Sequence, residues 1–306
     1  MWGLSDRVSG NIAGVICMIA WSTSFIFVND LLATWHPLLL TPARTAMAAV
    51  VLCFLTVMIG RGRELLQIPV VHMAGAGGIG LTAANTLLVF GQNYVDPVST
   101  AIIISCLPAV SAVFGWFGGT ERLSALLGAG IGLSIVGGAV ASLGLGSGAT
   151  GEGSIIGAVI VALGVVAYIW YTRTIVMICP QVSPLAKAGV CMLVATLMGL
   201  IIAEFSVLFD LVPLKYDVSL PSLGKLFWLG AIAVGGSTAL WFLTGQMIGV
   251  TVAAMHHNLV PLYVMMMALY AGGSISVMTL TGAALVVAGA VLAQLPELRM
   301  KPRFAD

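Results

Sequence analysis

Charge is scarce in this chain. Asp, Glu, Lys and Arg together make up 8 % of its 306 residues, where a soluble domain carries about a quarter. So few ionic groups cannot cover a water-facing surface. With 60 % hydrophobic residues and a mean hydropathy of +1.11, lipid must be part of the solvent. The net charge of +1 leaves a nucleic-acid partner without electrostatic support. Cysteine is sparse as well. Cys17, Cys53, Cys106, Cys179 and Cys191 are odd in number and hold no Cys-x-x-Cys pair, so neither a disulfide framework nor a zinc site is expected, and they read as packing residues. Alternating ten-residue strands are missing too, which argues against a β-barrel.

Long apolar runs are what the chain has in quantity. Ten reach the roughly 20 residues that cross a bilayer as a helix: 8–29, 38–60, 70–92, 97–118, 124–144, 153–176, 184–209, 224–246, 250–271 and 275–295. The expected fold is an all-α integral membrane protein with ten transmembrane helices. The first run follows Arg7 and lacks a small-residue cleavage site, so it reads as a retained helix and not a signal peptide. With the N-terminus inside, the inner side collects nine basic residues: Arg7, Arg61, Arg63, Arg122, Arg173, Lys187, Arg299, Lys301 and Arg303. The outer side collects Arg44, Lys215 and Lys225. This bias puts both termini in the cytoplasm.

Composition breaks once, at GLGSGATGEG (Gly144–Gly153), a flexible linker between helices five and six. The expected organisation is a first five-helix repeat at 1–145, a Gly/Ser linker at 146–152, a second repeat at 153–296 and a cytoplasmic tail at 297–306. Gly-x-Gly-x-x-Gly spacing occurs at Gly146–Gly151 and Gly75–Gly80. Neither copy follows a strand, so no dinucleotide site is expected, and small-residue helix packing accounts for the second. GNIAGVICMIAWSTSFIF aligns with GSIIGAVIVALGVVAYIW, pairing Gly10 with Gly153 and Gly14 with Gly157, and the same offset pairs Pro37 with Pro180 and Arg44 with Lys187. TAIIISCLPAV aligns with AAMHHNLVPLY, pairing Pro108 with Pro261. Five helices is an odd number, so the second copy enters the membrane from the opposite side. Inverted repeats of this kind are a transporter architecture, with the site at the midplane between the halves.

GNIAGVICMIAWSTSF in helix one, Pro37 with Arg44 entering helix two, and Pro108 with Glu121 bracketing helix four resemble the drug/metabolite transporter superfamily, in its ten-helix EamA-type branch. The likeness covers both halves and is strongest to the YddG-type exporters of aromatic amino acids. It implies a basket of ten helices around a central cavity lined by both repeats. It differs from the family in having Trp21-Ser22 where Trp-Gly is frequent, and Ser274 where many second repeats carry an acid. Helix one has no embedded acid, unlike the small multidrug antiporters of this superfamily, so no dedicated proton site is expected.

Polar residues inside apolar runs mark the candidate site, because each needs a partner there. His256 and His257 point about 100° apart on a helix and cannot both face one cavity; each can instead make a helix–helix hydrogen bond. Asn258 can cap the turn disturbed by Pro261 or touch substrate. Pro108 and Pro261 each free a carbonyl inside a helix and can act as kinks for gating. Trp21, Ser22, Asn85, Tyr168 and Trp241 lie deep and complete the substrate-binding candidates. Trp2 and Trp35 suit an interfacial aromatic belt. Arg44 and Lys187 sit at span ends, where phospholipid headgroups can pair with them. No catalytic residue, cofactor or metal ligand is expected. The expected partners are the lipid bilayer and a small-molecule substrate.

The reading is a bacterial inner-membrane exporter of amino acids with aromatic or hydrophobic preference, working by alternating access without proton coupling. Rival readings are an exporter of another small neutral metabolite or a drug, a channel, and an intramembrane enzyme using a histidine.

Overall fold

Proline opens many of the helices of this protein. The computed structural model describes residues 4–69, 73–118, 125–143, 152–177, 181–248, 253 and 256–299, and among them the secondary structure is entirely helical. Pro37, Pro97 and Pro184 each stand at the first helical position, where a fixed φ suits the helix and a missing N–H loses no bond. The residue before each is extended and caps: His36 Nδ1 accepts from Leu38 N, Asp96 Oδ1 from Val98 N and Ser99 N, and Ser183 Oγ from Ala186 N.

In chain order the helices are α1 (Leu4–Leu32), α2 (Pro37–Met58), the short α3 (Arg63–Leu66), α4 (Leu81–Gln92), α5 (Pro97–Ile104), α6 (Leu107–Phe117), α7 (Ala125–Leu143), α8 (Glu152–Met177), α9 (Pro184–Leu208), α10 (Leu220–Phe227), α11 (Ser237–Ile248), α12 (Val260–Tyr270) and α13 (Val277–Arg299). A π-helical stretch precedes α4 (Ala74–Gly80) and another precedes α11 (Trp228–Gly236), and a 3-10 turn (His256–Leu259) leads into α12. Among the described residues six helical stretches are long and apolar enough to cross a membrane: Arg7–Leu32, Pro37–Met58, Pro97–Phe117, Ile155–Ile175, Pro184–Leu208 and Leu220–Ile248. Of the other expected spans, 124–144 and 275–295 overlie α7 and α13, 70–92 overlaps the first π-helical stretch and α4, and 250–271 overlaps the 3-10 turn and α12. The expected linker falls almost wholly on 144–151, outside the described residues; Glu152 and Gly153 already belong to α8. Glu121, Pro180 and tail residues 300–306 also lie outside them.

Outer helix faces are largely apolar, and many hydroxyls are buried among the packed helices, as a lipid solvent favours. Ile12, Ile16 and Ile19 on α1, and Val50, Phe54 and Val57 on α2, are exposed at helical spacing. Ser22, Ser24, Thr41, Thr45 and Thr196 are buried. Thr196 Oγ1 donates to Thr45 Oγ1 at 2.9 Å, joining α9 to α2. The main packed pairs are α2 with α9, α4 with α8, α1 with α11, and α7 with α13. The last pair meets backbone to backbone. A Cβ added at Gly137 would lie 2.7 Å from Val286 N, and one at Gly289 would lie 2.6 Å from Gly130 O. Small residues alone allow that approach.

Short contacts tie the ends of the bundle. Lys225 Nζ pairs with Asp30 Oδ2 at 2.7 Å, and His36 N donates to Lys215 O at 2.8 Å. Trp35, between α1 and α2, is buried. Its Nε1–H donates to Ser222 Oγ at 3.0 Å, satisfying a group that would otherwise seek water. Elsewhere Glu64 Oε2 accepts from Ser183 N at 2.9 Å, joining α3 to the cap of α9. The Ser183 hydrogen bonds, with Arg61 adding a smaller attraction, hold the Glu64 carboxyl below its ordinary value of 4.5. The contact therefore stabilises the fold at neutral pH, and that contribution fades as pH falls below 4.5 and through the lowered value. Glu64→Gln should flatten part of the acid-side loss of melting temperature between about pH 5 and 3. An identical pH profile in the variant would remove this role.

Candidate functional site

The middle of α1 faces a narrow, partly enclosed cavity of about 40 Å³ that opens to the outside. Cys17, Met18, Trp21, Ser24 and Phe25 supply the α1 wall. Across from them stand Leu81, Asn85, Leu88 and Gln92 of α4, and Tyr168 and Tyr171 of α8. Ser237, Thr238, Trp241 and Phe242 of α11, with His257, close the circuit. Ser237 and Thr238 begin the helix that follows the π segment, and each hydroxyl donates back to that segment's carbonyls. The wider π turn leaves carbonyls that the following hydroxyls satisfy, a feature common at functional sites.

The rings form one connected group. Trp21 meets Phe25 edge-on at 5.4 Å, stacks with Tyr168 at 6.3 Å and meets His257 edge-on at 5.3 Å. His257 meets Trp241 edge-on at 4.7 Å, and Tyr168 lies 5.9 Å from Tyr171. These separations are those of favourable aromatic pairs.

Five of the eight expected substrate-binding residues thus line one cavity: Trp21, Asn85, Tyr168, Trp241 and His257. Three do not. Ser22 is fully buried and its hydroxyl donates to Met18 O on the same helix at 2.6 Å. His256 packs over Gly14 of α1, where an added Cβ would lie 2.9 Å from the ring, and its Nδ1 is 3.2 Å from Ala253 O. The two histidines diverge as adjacent helical residues must, one toward the cavity and one toward a helix contact. Asn258 is buried in the 3-10 turn, away from the cavity wall. Pro108 and Pro261 each follow a local break in helical hydrogen bonding and lie in the first turn of α6 or α12. The hydroxyl of Ser105, donating to Ile102 O at 2.7 Å, satisfies a carbonyl where α5 ends.

The arginine expected at a span end belongs to this site. Arg44 is buried at 5 % exposure and lines the cavity. Because α2 begins at Pro37, Arg44 lies two turns in, about 10 Å along the axis. Its Nη2 donates to Asn85 Oδ1 at 2.6 Å and to Asn85 O at 3.3 Å. Asn85 Nδ2 in turn donates to Leu81 O at 3.0 Å, which fixes the amide with its oxygen toward the guanidinium. Lys187, also buried, stands within the first turn of α9. The described starts Pro37 and Pro184 are 147 residues apart, so this helix pair is offset differently from the Pro37–Pro180 alignment, and Arg44 and Lys187 are not at equal depth. A cation inside an apolar run was the available signal for Arg44. Gln92, also in the wall, adjoins the polar Asn93 at its helix end and gave no comparable signal.

The apolar helices define a multi-pass membrane protein, with a narrow internal cavity lined by several of them. Residues 8–143 match the EamA-like transporter family, part of the drug/metabolite transporter superfamily. The match covers less than half of the chain and distinguishes no branch within the family. No curated protein matches. Among solved structures, the crystal structure of a protein 22 % identical in sequence superposes over 96 % of this chain and 100 % of its own, with a TM-score of 0.71. That likeness is one of fold. The family matched by residues 8–143 is one of membrane transporters, which suggests that class for this chain.

Proposed function

We propose that the chain exports amino acids across a bacterial inner membrane, preferring aromatic or other hydrophobic side chains, by alternating access between two inverted five-helix repeats. The observation that carries this reading is the ring-lined cavity, to which α1 and α4 of the first half and α8 and α11 of the second all contribute. Trp21, Tyr168, Trp241 and His257 offer faces and edges for a flat apolar side chain.

The repeat is supported by matched irregularities. The helices α4 and α11 are both 12 residues long and each follows a π stretch. The helices α6 and α12 are both 11 residues long with proline second. Packing is reciprocal: α1 lies on α11 as α8 lies on α4, while α2 with α9 and α7 with α13 pair each helix with its counterpart. Ten crossings follow if the shorter segments also span. One half can then rock against the other around a fixed site, with the breaks before Pro108 and Pro261 as points of give. Both termini face the cytoplasm in this arrangement.

Purified protein in liposomes should accelerate tryptophan and phenylalanine uptake with no imposed pH gradient. Uptake that strictly requires such a gradient would remove the uncoupled mechanism; inactivity toward every amino acid, with activity toward another neutral metabolite, would replace the substrate. Trp21→Ala should weaken tryptophan-induced thermal stabilisation about tenfold in concentration, through loss of its ring contacts. Phe205→Ala, on the exposed face of α9, should leave it unchanged. Equal responses from the two variants would return Trp21 to a packing role.

A further inference from the structure

The aromatic wall leaves the cavity's arginine unexplained. A buried guanidinium is stable only when paired and hydrogen-bonded. Among the described residues that line the cavity there is no aspartate or glutamate. Arg44 has instead a neutral amide: Asn85 satisfies Nη2, while the Nε–H has no hydrogen-bond partner. Elsewhere in the cavity lining, the Gln92 Nε2 donor is also buried without one. Two buried donors, Arg44 Nε and Gln92 Nε2, thus stand without partners in a wall that carries one positive charge. The guanidinium fork matches a carboxylate, holding it through paired N–H groups as an ammonium cannot.

We propose that the solute carries a carboxylate that docks on Arg44, with Asn85 positioning the guanidinium and Gln92 supplying a further donor. This rests on the cavity being the solute site and narrows its ligand class to carboxylates with an apolar body. A single negative charge neutralises the cavity. A zwitterion leaves its net charge as it was, and no acidic side chain of the described wall receives the ammonium. Aromatic acids that lack an amino group should therefore bind at least as tightly as the matching amino acids.

The test is thermal stabilisation of the wild-type protein by indole-3-propionate, tryptophan, tryptamine, 3-methylindole and hexanoate, repeated with Arg44→Gln and Arg44→Lys. Removing the carboxylate should weaken binding about tenfold to a hundredfold, as expected for a hydrogen bond to a charged group. Arg44→Gln should erase that difference and Arg44→Lys should keep part of it. The wild-type panel stands by itself if a variant fails to fold. Equal binding of indoles with and without a carboxylate would overturn the proposal and leave the aromatic cavity intact. Binding of hexanoate but of no indole would support the carboxylate site and overturn the aromatic preference. Binding of none of the five would overturn both.

Discussion

Asn85→Leu should lower stability by about 2–3 kcal/mol, since it removes the hydrogen-bonding partner of a buried cation. Arg44 is 5 % exposed and its shortest contact, 2.6 Å, is to the Asn85 side chain. Leucine matches asparagine in bulk and offers no acceptor. The guanidinium would then lack both a counter-charge and its amide among the described side chains of the wall. The measurement is thermal unfolding of the purified protein in detergent, and the informative comparison is the double variant. Arg44→Met together with Asn85→Leu replaces both polar partners with apolar ones, so its loss should be smaller than that of Asn85→Leu alone. An Asn85→Leu protein as stable as the parent, or a double variant with the two losses simply added, would show that the pair is not energetically coupled. Solute binding should fall in both variants, because the donor is either misaimed or absent.

Gly289→Leu should be the most damaging substitution outside the cavity. An added Cβ at this position would lie 2.6 Å from Gly130 O, 2.6 Å from Ser134 Oγ and 2.7 Å from Ser134 N. Two of these atoms are backbone and cannot rotate away. The helices α7 and α13 would have to separate, exposing the Ser134 hydroxyl that now reaches toward Val286 O at 3.4 Å. Overpacking a tight site costs about 3 kcal/mol, and here the contact is the main one that α13 makes. The expected result is a sharp drop in melting temperature and in the yield of monodisperse protein. Gly128→Leu is the matched control: its added Cβ meets nothing within 4 Å, and the leucine can lie in lipid. Equal loss from both substitutions would place the cause in glycine's removal from helices generally and not in the crossing.

Much of the architecture is legible in the chain because lipid imposes simple rules. Backbone groups must be paired within each segment, so apolar runs become helices, and the prolines at positions 37, 97 and 184 mark three starts through their missing N–H. The breaks before Pro108 and Pro261 follow from the same chemistry. The site is legible only in part. Trp21, Asn85, Tyr168, Trp241 and His257 stand out as polar or aromatic groups in apolar surroundings, and they do meet. Ser22 and His256 stand out for the same reason yet are satisfied locally, by Met18 O and by packing on Gly14. Composition cannot distinguish a polar group that needs a ligand from one that its own helix already serves.

Arg44 is the clearest case of that limit. A basic residue seven positions after a proline reads equally as an interfacial anchor or as an embedded charge, and the choice depends on where the helix starts and what stands opposite. The start at Pro37 carries it two turns inward, and the meeting with Asn85, 41 positions away in the chain, turns it into a cavity group. By itself the sequence determined the solvent, the helical class and the set of polar residues requiring partners, because those follow from hydropathy and local bonding. Only the tertiary structure decided which of them share a cavity and which charge it holds, because partners distant in the chain are chosen by packing.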